Sequence, residues 1–114
     1  MKLFINGHDK NPVRRVKGSD QTFNCLVCSD AGDKEVLTGD TVDVLIYDNG
    51  SRSGTPLLTS SGTLVVATTG AFSITIAYTE LATVLVGADL YCFARVTGAS
   101  LVKISDNPIL MENR

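Results

Sequence analysis

LTGDTVDVLIYD, residues 37–48, joins a glycine-centred turn to a segment in which apolar residues recur at every second position. Successive side chains of a β-strand point to opposite faces, so this alternation is typical of a strand with one buried face. We predict that Val42, Val44 and Ile46 point into a core. The segment ends at Asp48-Asn49-Gly50, a strong turn signal because Asn and Gly tolerate positive φ.

The same period of two returns along the rest of the chain, between turns rich in Gly, Asn, Asp and Ser. Helical periodicity is nearly absent, and Thr79–Gly87 is the one segment predicted to form a short helical crossover between sheets. The pattern predicts an all-β, two-sheet sandwich of seven to nine strands over residues 13–114, preceded by an N-terminal arm or short strand at residues 1–12. Along the strand after the Thr69-Gly70 turn, the residues predicted to face inward are Phe72, Ile74, Ile76 and Tyr78.

Length and charge exclude several classes of function. The chain has 114 residues, ten basic and twelve acidic side chains, and a net charge of −2. This length fits one domain with one core. Neither sign of charge forms a block, so no binding to nucleic acid or to a membrane is expected. No apolar run approaches the roughly eighteen residues of a spanning helix. The polar segment 6–10 interrupts the apolar start too early for a secretory signal, so a soluble, non-exported chain is predicted.

The cysteines are predicted to be three buried, reduced thiols. A metal or redox pair at Cys25 and Cys28 is the alternative, but residues three apart on a strand point to opposite faces. Only His8 and Cys92 remain to complete a zinc site. A calcium site in the acidic turn 30–35 is a second alternative, although its spacing matches no EF-hand loop.

Signs of catalysis are absent from the sequence. His8 is the only histidine, and no nucleophile elbow or phosphate-binding glycine loop is present. We therefore predict no catalytic residue, no cofactor and no metal. A small enzyme that uses two carboxylates is the rival interpretation, because loop carboxylates that meet in space leave no pattern in sequence.

The strand predicted over Asp89–Val96 is apolar on both faces. Such a strand is covered on both sides or presents aromatic side chains to a partner. Both alternatives stand: an interface, or cover by an end segment of the same chain. The apolar tail after Pro108 is predicted to dock on the sheet or on a neighbour. A homo-oligomer is expected, and the predicted contact residues are Leu57, Leu58, Tyr91, Phe93, Ile109, Leu110 and Met111.

Several motifs occur in an order that resembles one family. They are Gly18-Ser19-Asp20-Gln21-Thr22-Phe23, Asp30-Ala31-Gly32, Leu37-Thr38-Gly39-Asp40-Thr41-Val42, Gly70-Ala71-Phe72-Ser73-Ile74 and Thr79-Glu80-Leu81. Over residues 13–110 the chain resembles the N-terminal domain of siphophage baseplate upper proteins and related immunoglobulin-like modules of phage virions.

This resemblance implies an immunoglobulin-like sandwich that binds other virion proteins, namely capsid or tail subunits. The chain stops at Arg114, without the coiled coil and receptor-binding domain that usually follow in that family. The expectation is therefore a capsid decoration or cement protein, or a small tail or baseplate adaptor. Such a part is assembled in the host cytoplasm and resides in the virion. A cell-surface adhesion or binding module of similar fold is the alternative.

Overall fold

The computed structural model describes residues 1–9 and 12–114, so the predicted N-terminal arm or short strand at residues 1–12 lies partly outside the described residues, at Lys10 and Asn11. The described residues form ten strands and one 3₁₀ turn. The strands are β1 (Lys2–Ile5), β2 (Val13–Arg15), β3 (Gln21–Cys28), β4 (Thr41–Tyr47), β5 (Leu58–Ser61), β6 (Thr63–Val66), β7 (Ala71–Ile76), β8 (Asp89–Thr97), β9 (Val102–Ile104) and β10 (Ile109–Asn113), and the 3₁₀ turn is Ala67–Thr69.

Two sheets form a sandwich. The four-stranded sheet has the order β1-β3-β7-β6, and the six-stranded sheet has the order β2-β10-β8-β4-β5, with β9 pairing with the other end of β8. If the three-residue strands β2 and β9 are left out and the others are lettered in chain order, these are the ABED and GFCC′ sheets of an immunoglobulin-like domain. The predicted all-β, immunoglobulin-like sandwich is confirmed. The strand count exceeds the predicted seven to nine because three- and four-residue strands complete the sheet edges.

The core lies between the sheets and is built from every second residue of the long strands. Val42, Val44 and Ile46 of β4 are buried there, as predicted. β3 and β7 supply the facing layer, and the alternate outward residues of these strands are half-buried or exposed except for the buried Cys28 at the end of β3. Phe72, Ile74 and Ile76 are buried, but the inward prediction for Tyr78 is wrong. β7 ends at Ile76, so the alternation stops two residues before Tyr78.

The predicted helical crossover at Thr79–Gly87 is wrong. The chain makes three successive turns here, closed by backbone bonds from Glu80 to Ala77, from Val84 to Leu81 and from Ala88 to Leu85. Leu81 adopts a φ of 57°. This left-handed conformation interrupts an α-helix, because side chains other than glycine enter it only singly. We call residues 77–88 the turn loop.

Two buried polar side chains hold the turn loop against the sandwich. Arg15 donates from Nη2 to the carbonyl of Glu80 at 2.7 Å and from Nη1 to Asn113 Oδ1 at 3.0 Å. The amide of Asn113 donates to the carbonyls of Val84 and Leu85 at 3.2 and 3.1 Å. The loop therefore obtains its conformation from β2 and β10 rather than from helical hydrogen bonds.

The three cysteines are free and buried, as predicted. Burial raises the pKa of Cys25 to about 12 and also raises the pKa of Cys92. The thiolate is the reactive form, so we expect these two thiols of the folded protein to react with an aromatic disulfide reagent on the order of 1000-fold more slowly than in the unfolded chain. The release of the coloured thiolate at mildly alkaline pH, with and without denaturant, measures this. Three thiols reacting at the unfolded rate in native buffer would contradict the prediction.

Candidate functional site

The structure corrects the predicted contact at Phe93. This side chain is 2% exposed and packs with Leu45 and Tyr47 on the outer face of the six-stranded sheet. The rings of Tyr47 and Phe93 meet edge to face at 5.9 Å, and the guanidinium of Arg52 lies 5.2 Å above the Phe93 ring. Arg52 from the β4–β5 loop, with Ile104 of β9, covers the second apolar face of β8. The second apolar face of β8 is therefore covered by the same chain. The covering residues belong to a loop and a neighbouring strand, not to an end segment as predicted.

Ile109 and Met111 are also wrongly predicted as contacts. Both are fully buried, because the tail forms β10 between β8 and β2 and turns these two residues to the core. The intervening Leu110 is half-buried and lies opposite Tyr91, itself half-buried. The structure therefore brings Leu110 and Tyr91 together on the outer face of the six-stranded sheet. It places Leu57, which is exposed, and Leu58, which is half-buried, at the start of β5.

The four-stranded sheet carries an apolar surface that the sequence reasoning missed. Phe4, Leu26, Ala71 and Val66 are consecutive partners in the register of β1, β3, β7 and β6. Each lies on the outer face, and Leu26 and Val66 are 38% and 44% exposed. We call these four residues the outer row. They cross the whole sheet as one apolar line.

The rest of this face is polar. The adjacent row consists of Asn24, Ser73 and Thr63, one from each of three neighbouring strands. In the row beyond it the hydroxyls of Thr22 and Thr75 bond to each other at 2.9 Å. The outer row is therefore a local apolar feature within a sheet face that otherwise interacts with water.

The two edges of the four-stranded sheet differ. The β1 edge is covered, because the side-chain amide of Asn107 accepts from the backbone N–H of Leu3 and donates to its carbonyl, both at 2.9 Å. On β6, no backbone group of residues 63–65 bonds outside the β6–β7 pair within the described chain. A β-bulge separates Leu64 from Val66, and Val65 is 64% exposed. The β6 edge is therefore open.

Two glycines determine how β6 reaches this position. Gly62 connects β5 of one sheet to β6 of the other, and a Cβ there would lie 2.7 Å from Val42 Cγ1 and 3.0 Å from Phe72 Cδ2. Gly70 closes the hairpin to β7 in the left-handed region, at a φ of 78°. Only glycine allows both close approaches without displacing the core.

The side of the sandwich where β5 and β6 form neighbouring edges carries no charge of its own. No charged residue lies between Arg52 and Glu80 in the sequence. We call β5, β6 and the exposed Leu57 before them the open flank. Asp43, which lies opposite Ser61 of β5, is engaged in a 2.8 Å ion pair with Arg95. The absence of charge on the open flank is visible in the sequence, as a long uncharged stretch between Arg52 and Glu80 that includes the apolar strand β6.

A groove of about 220 Å³ lies between the segment before β4 and the β8–β9 turn. Its charged residues are Glu35, Asp40 and Lys103. Lys103 donates to Glu35 at 2.6 Å, and this hydrogen bond raises the pKa of Lys103. Within the described residues, no group of three His, Cys, Asp or Glu side chains is placed to hold a metal ion. In residues 1–9 and 12–114 there is no helix with the length and hydropathy that a membrane crossing requires.

Comparisons with known proteins add a likeness in shape only. No protein-family model matches the chain, and no curated protein sequence matches it. Among solved structures, the chain is similar to the crystal structure of the Lin-41 filamin domain. The two are 14% identical, the match covers 98% of this chain and 91% of that chain, and the TM-score is 0.44. The fold described above rests on the strand order of this chain.

Proposed function

We propose that the chain is a virion structural protein that binds other virion subunits, as a capsid decoration or cement protein or as a small tail or baseplate adaptor. The sequence resemblance over residues 13–110 supports localisation in the virion. The outer row supports the binding role. In this proposal the chain performs no catalysis, needs no cofactor, and is assembled into the particle in the host cytoplasm.

The observation that carries the binding role is the outer row. The exposed face of an antiparallel sheet normally alternates with the core face and is polar. Here Phe4, Leu26, Ala71 and Val66 form an apolar line across all four strands, beside a row of Asn, Ser and Thr. Each Å² of apolar surface removed from water stabilises a complex by roughly 25 cal/mol. An apolar line with polar borders is typical of a contact surface for another protein.

The experiment is a retention assay with the products of the neighbouring genes. We expect the tagged chain to retain a capsid or tail subunit, and we expect Leu26→Lys to reduce the retained amount about ten-fold, because a charge then has to be buried in the contact. Asn24→Lys is the matched control, since Asn24 lies on the same strand and the same face in the polar row. We expect this control to retain the subunit.

Far-ultraviolet circular dichroism and a thermal unfolding curve establish that both variants are folded. The proposal fails if no capsid or tail subunit is retained by the unmodified chain. It also fails at the outer row if Leu26→Lys and Asn24→Lys retain the subunit equally. Retention of exported cell-surface proteins instead would replace the virion role with the adhesion alternative.

A further inference from the structure

The open flank unites the two sheet edges that lack a basic residue. Among the edge strands, β1 carries Lys2, β2 carries Arg14 and β9 carries Lys103, whereas β5 and β6 carry no charge. Basic residues on an edge strand discourage pairing with another chain. In the described sandwich, three edge strands therefore carry a basic residue that discourages pairing. The two edge strands that Gly62 connects, β5 and β6, carry none.

We propose that a second copy of the chain docks on the open flank, with the β6 edges of the two copies pairing as neighbouring strands. This inference deepens the proposed function by naming one partner. It uses the strand edge, whereas binding of other subunits is assigned to the sheet face.

The backbone of β6 supplies the first reason. Residues 63–65 have backbone groups with no partner outside β7. An extended strand of another chain satisfies such groups by adding to the sheet, and alternate side chains then make the specific contacts. The β6 edge of a second copy is an extended strand with the same unpaired groups.

Charge supplies the reason to choose a second copy as the occupant. In a two-fold dimer the same surface patch meets itself, so a charge close to the two-fold axis would face a like charge. The open flank avoids this cost, because the sequence has no charged residue between Arg52 and Glu80. Its exposed side chains are uncharged: Leu57, Leu64, Val65 and Val66 are apolar, and Thr59, Ser61 and Thr63 carry hydroxyl groups.

The β-bulge at Val65 limits the extent of the pairing. It interrupts the regular edge between Leu64 and Val66, so only a few residues can pair. When two short edges pair around a two-fold axis, neither copy retains a free β6 edge for a third copy. We therefore expect a weak, closed dimer rather than a fibre.

Sedimentation equilibrium of the purified chain over a wide concentration range tests the proposal. We expect a monomer–dimer equilibrium, and we expect Val65→Lys to raise the dimer dissociation constant about ten-fold or more, because each copy then carries a lysine on the pairing edge. Val86→Lys is the matched control. Val86 is 65% exposed against 64% for Val65 and lies in the turn loop, so this variant should leave the constant unchanged.

A cross-linking measurement locates the contact. We expect Val65→Cys to give a covalent dimer with a short bis-maleimide, and Val86→Cys to give none above the yield of random collisions. The native cysteines do not obscure this result, because all three are buried. Equal yields from the two variants would overturn the pairing of β6 with β6.

The outcomes separate this inference from the proposed function. A monomer at every concentration, or a dimer that Val65→Lys does not weaken, overturns the second copy as occupant, while the retention assay with Leu26→Lys is unaffected. If the chain is monomeric and Val65→Lys abolishes retention of a capsid or tail subunit, a strand of that subunit occupies the open flank and the self-pairing is wrong. Thermal unfolding curves of Val65→Lys and Val86→Lys exclude loss of fold as the cause.

Discussion

Replacing Gly70 by alanine is expected to lower the free energy of unfolding by about 3 kcal/mol or more. The added Cβ would lie 2.3 Å from the carbonyl oxygen of Val27 and 2.9 Å from that of Glu35. The backbone of Val27 cannot move away easily, because its N–H donates to the carbonyl of Gly70 at 3.0 Å. The left-handed φ of 78° adds strain for any residue with a Cβ. Urea unfolding followed by circular dichroism measures the loss.

Gly54→Ala is the control that separates the steric clash from the backbone conformation. Gly54 has nearly the same φ, 80°, but nothing lies within 4 Å of the position of its Cβ. We expect this variant to lose only about 1–2 kcal/mol, the cost of the left-handed conformation. Equal losses at the two glycines would show that the close approach to Val27 does not constrain the hairpin.

Strand faces were predictable from the sequence because one physical rule governs them. Alternation identified the buried face of β4 from Val42, Val44 and Ile46, and the same rule located the β6–β7 hairpin across Thr69-Gly70. Each of these strands buries alternate residues in the core, so local pattern and tertiary environment agree. The class of fold follows from the repetition of that pattern.

The alternation of apolar and polar residues does not show which distant residues cover a strand face. Both faces of β8 are apolar, and the sequence does not show that Arg52 lies over Phe93. For the turn loop, the spacing of Leu81, Val84 and Leu85 matches a helix. The side chains of Arg15 and Asn113 satisfy its carbonyls from other strands instead. Tertiary hydrogen bonds here override a local periodicity.

The outer row and the open flank differ in how far they could be recognised from the sequence. The outer row depends on the register of four strands, since Leu26 follows the polar Asn24 on its own strand face and meets Val66 only through Ala71. Register between distant strands cannot be derived from one sequence. The open flank left a readable trace, the uncharged run between Arg52 and Glu80.

Replacing Arg15 by alanine is the second large effect, with an expected loss of about 3 kcal/mol of unfolding free energy. Arg15 is fully buried, and its two terminal guanidinium nitrogens donate to the carbonyl of Glu80 and to the side chain of Asn113. The change leaves these acceptors without a donor and opens a cavity beneath the turn loop. Urea unfolding measures the loss. Hydrogen exchange at Val84 and Ala88 measures the loosening of the loop.

Two further variants show which part of Arg15 matters. Arg15→Met retains most of the side-chain volume but removes the hydrogen bonds. The loss of unfolding free energy in Arg15→Met therefore measures the hydrogen bonds, and the additional loss in Arg15→Ala measures the cavity. Arg14→Ala, the exposed neighbour on the same strand, should change stability by less than about 0.5 kcal/mol. If Arg14→Ala and Arg15→Ala destabilise the chain equally, the general loss of positive charge is responsible. The turn loop would then not depend on the buried guanidinium.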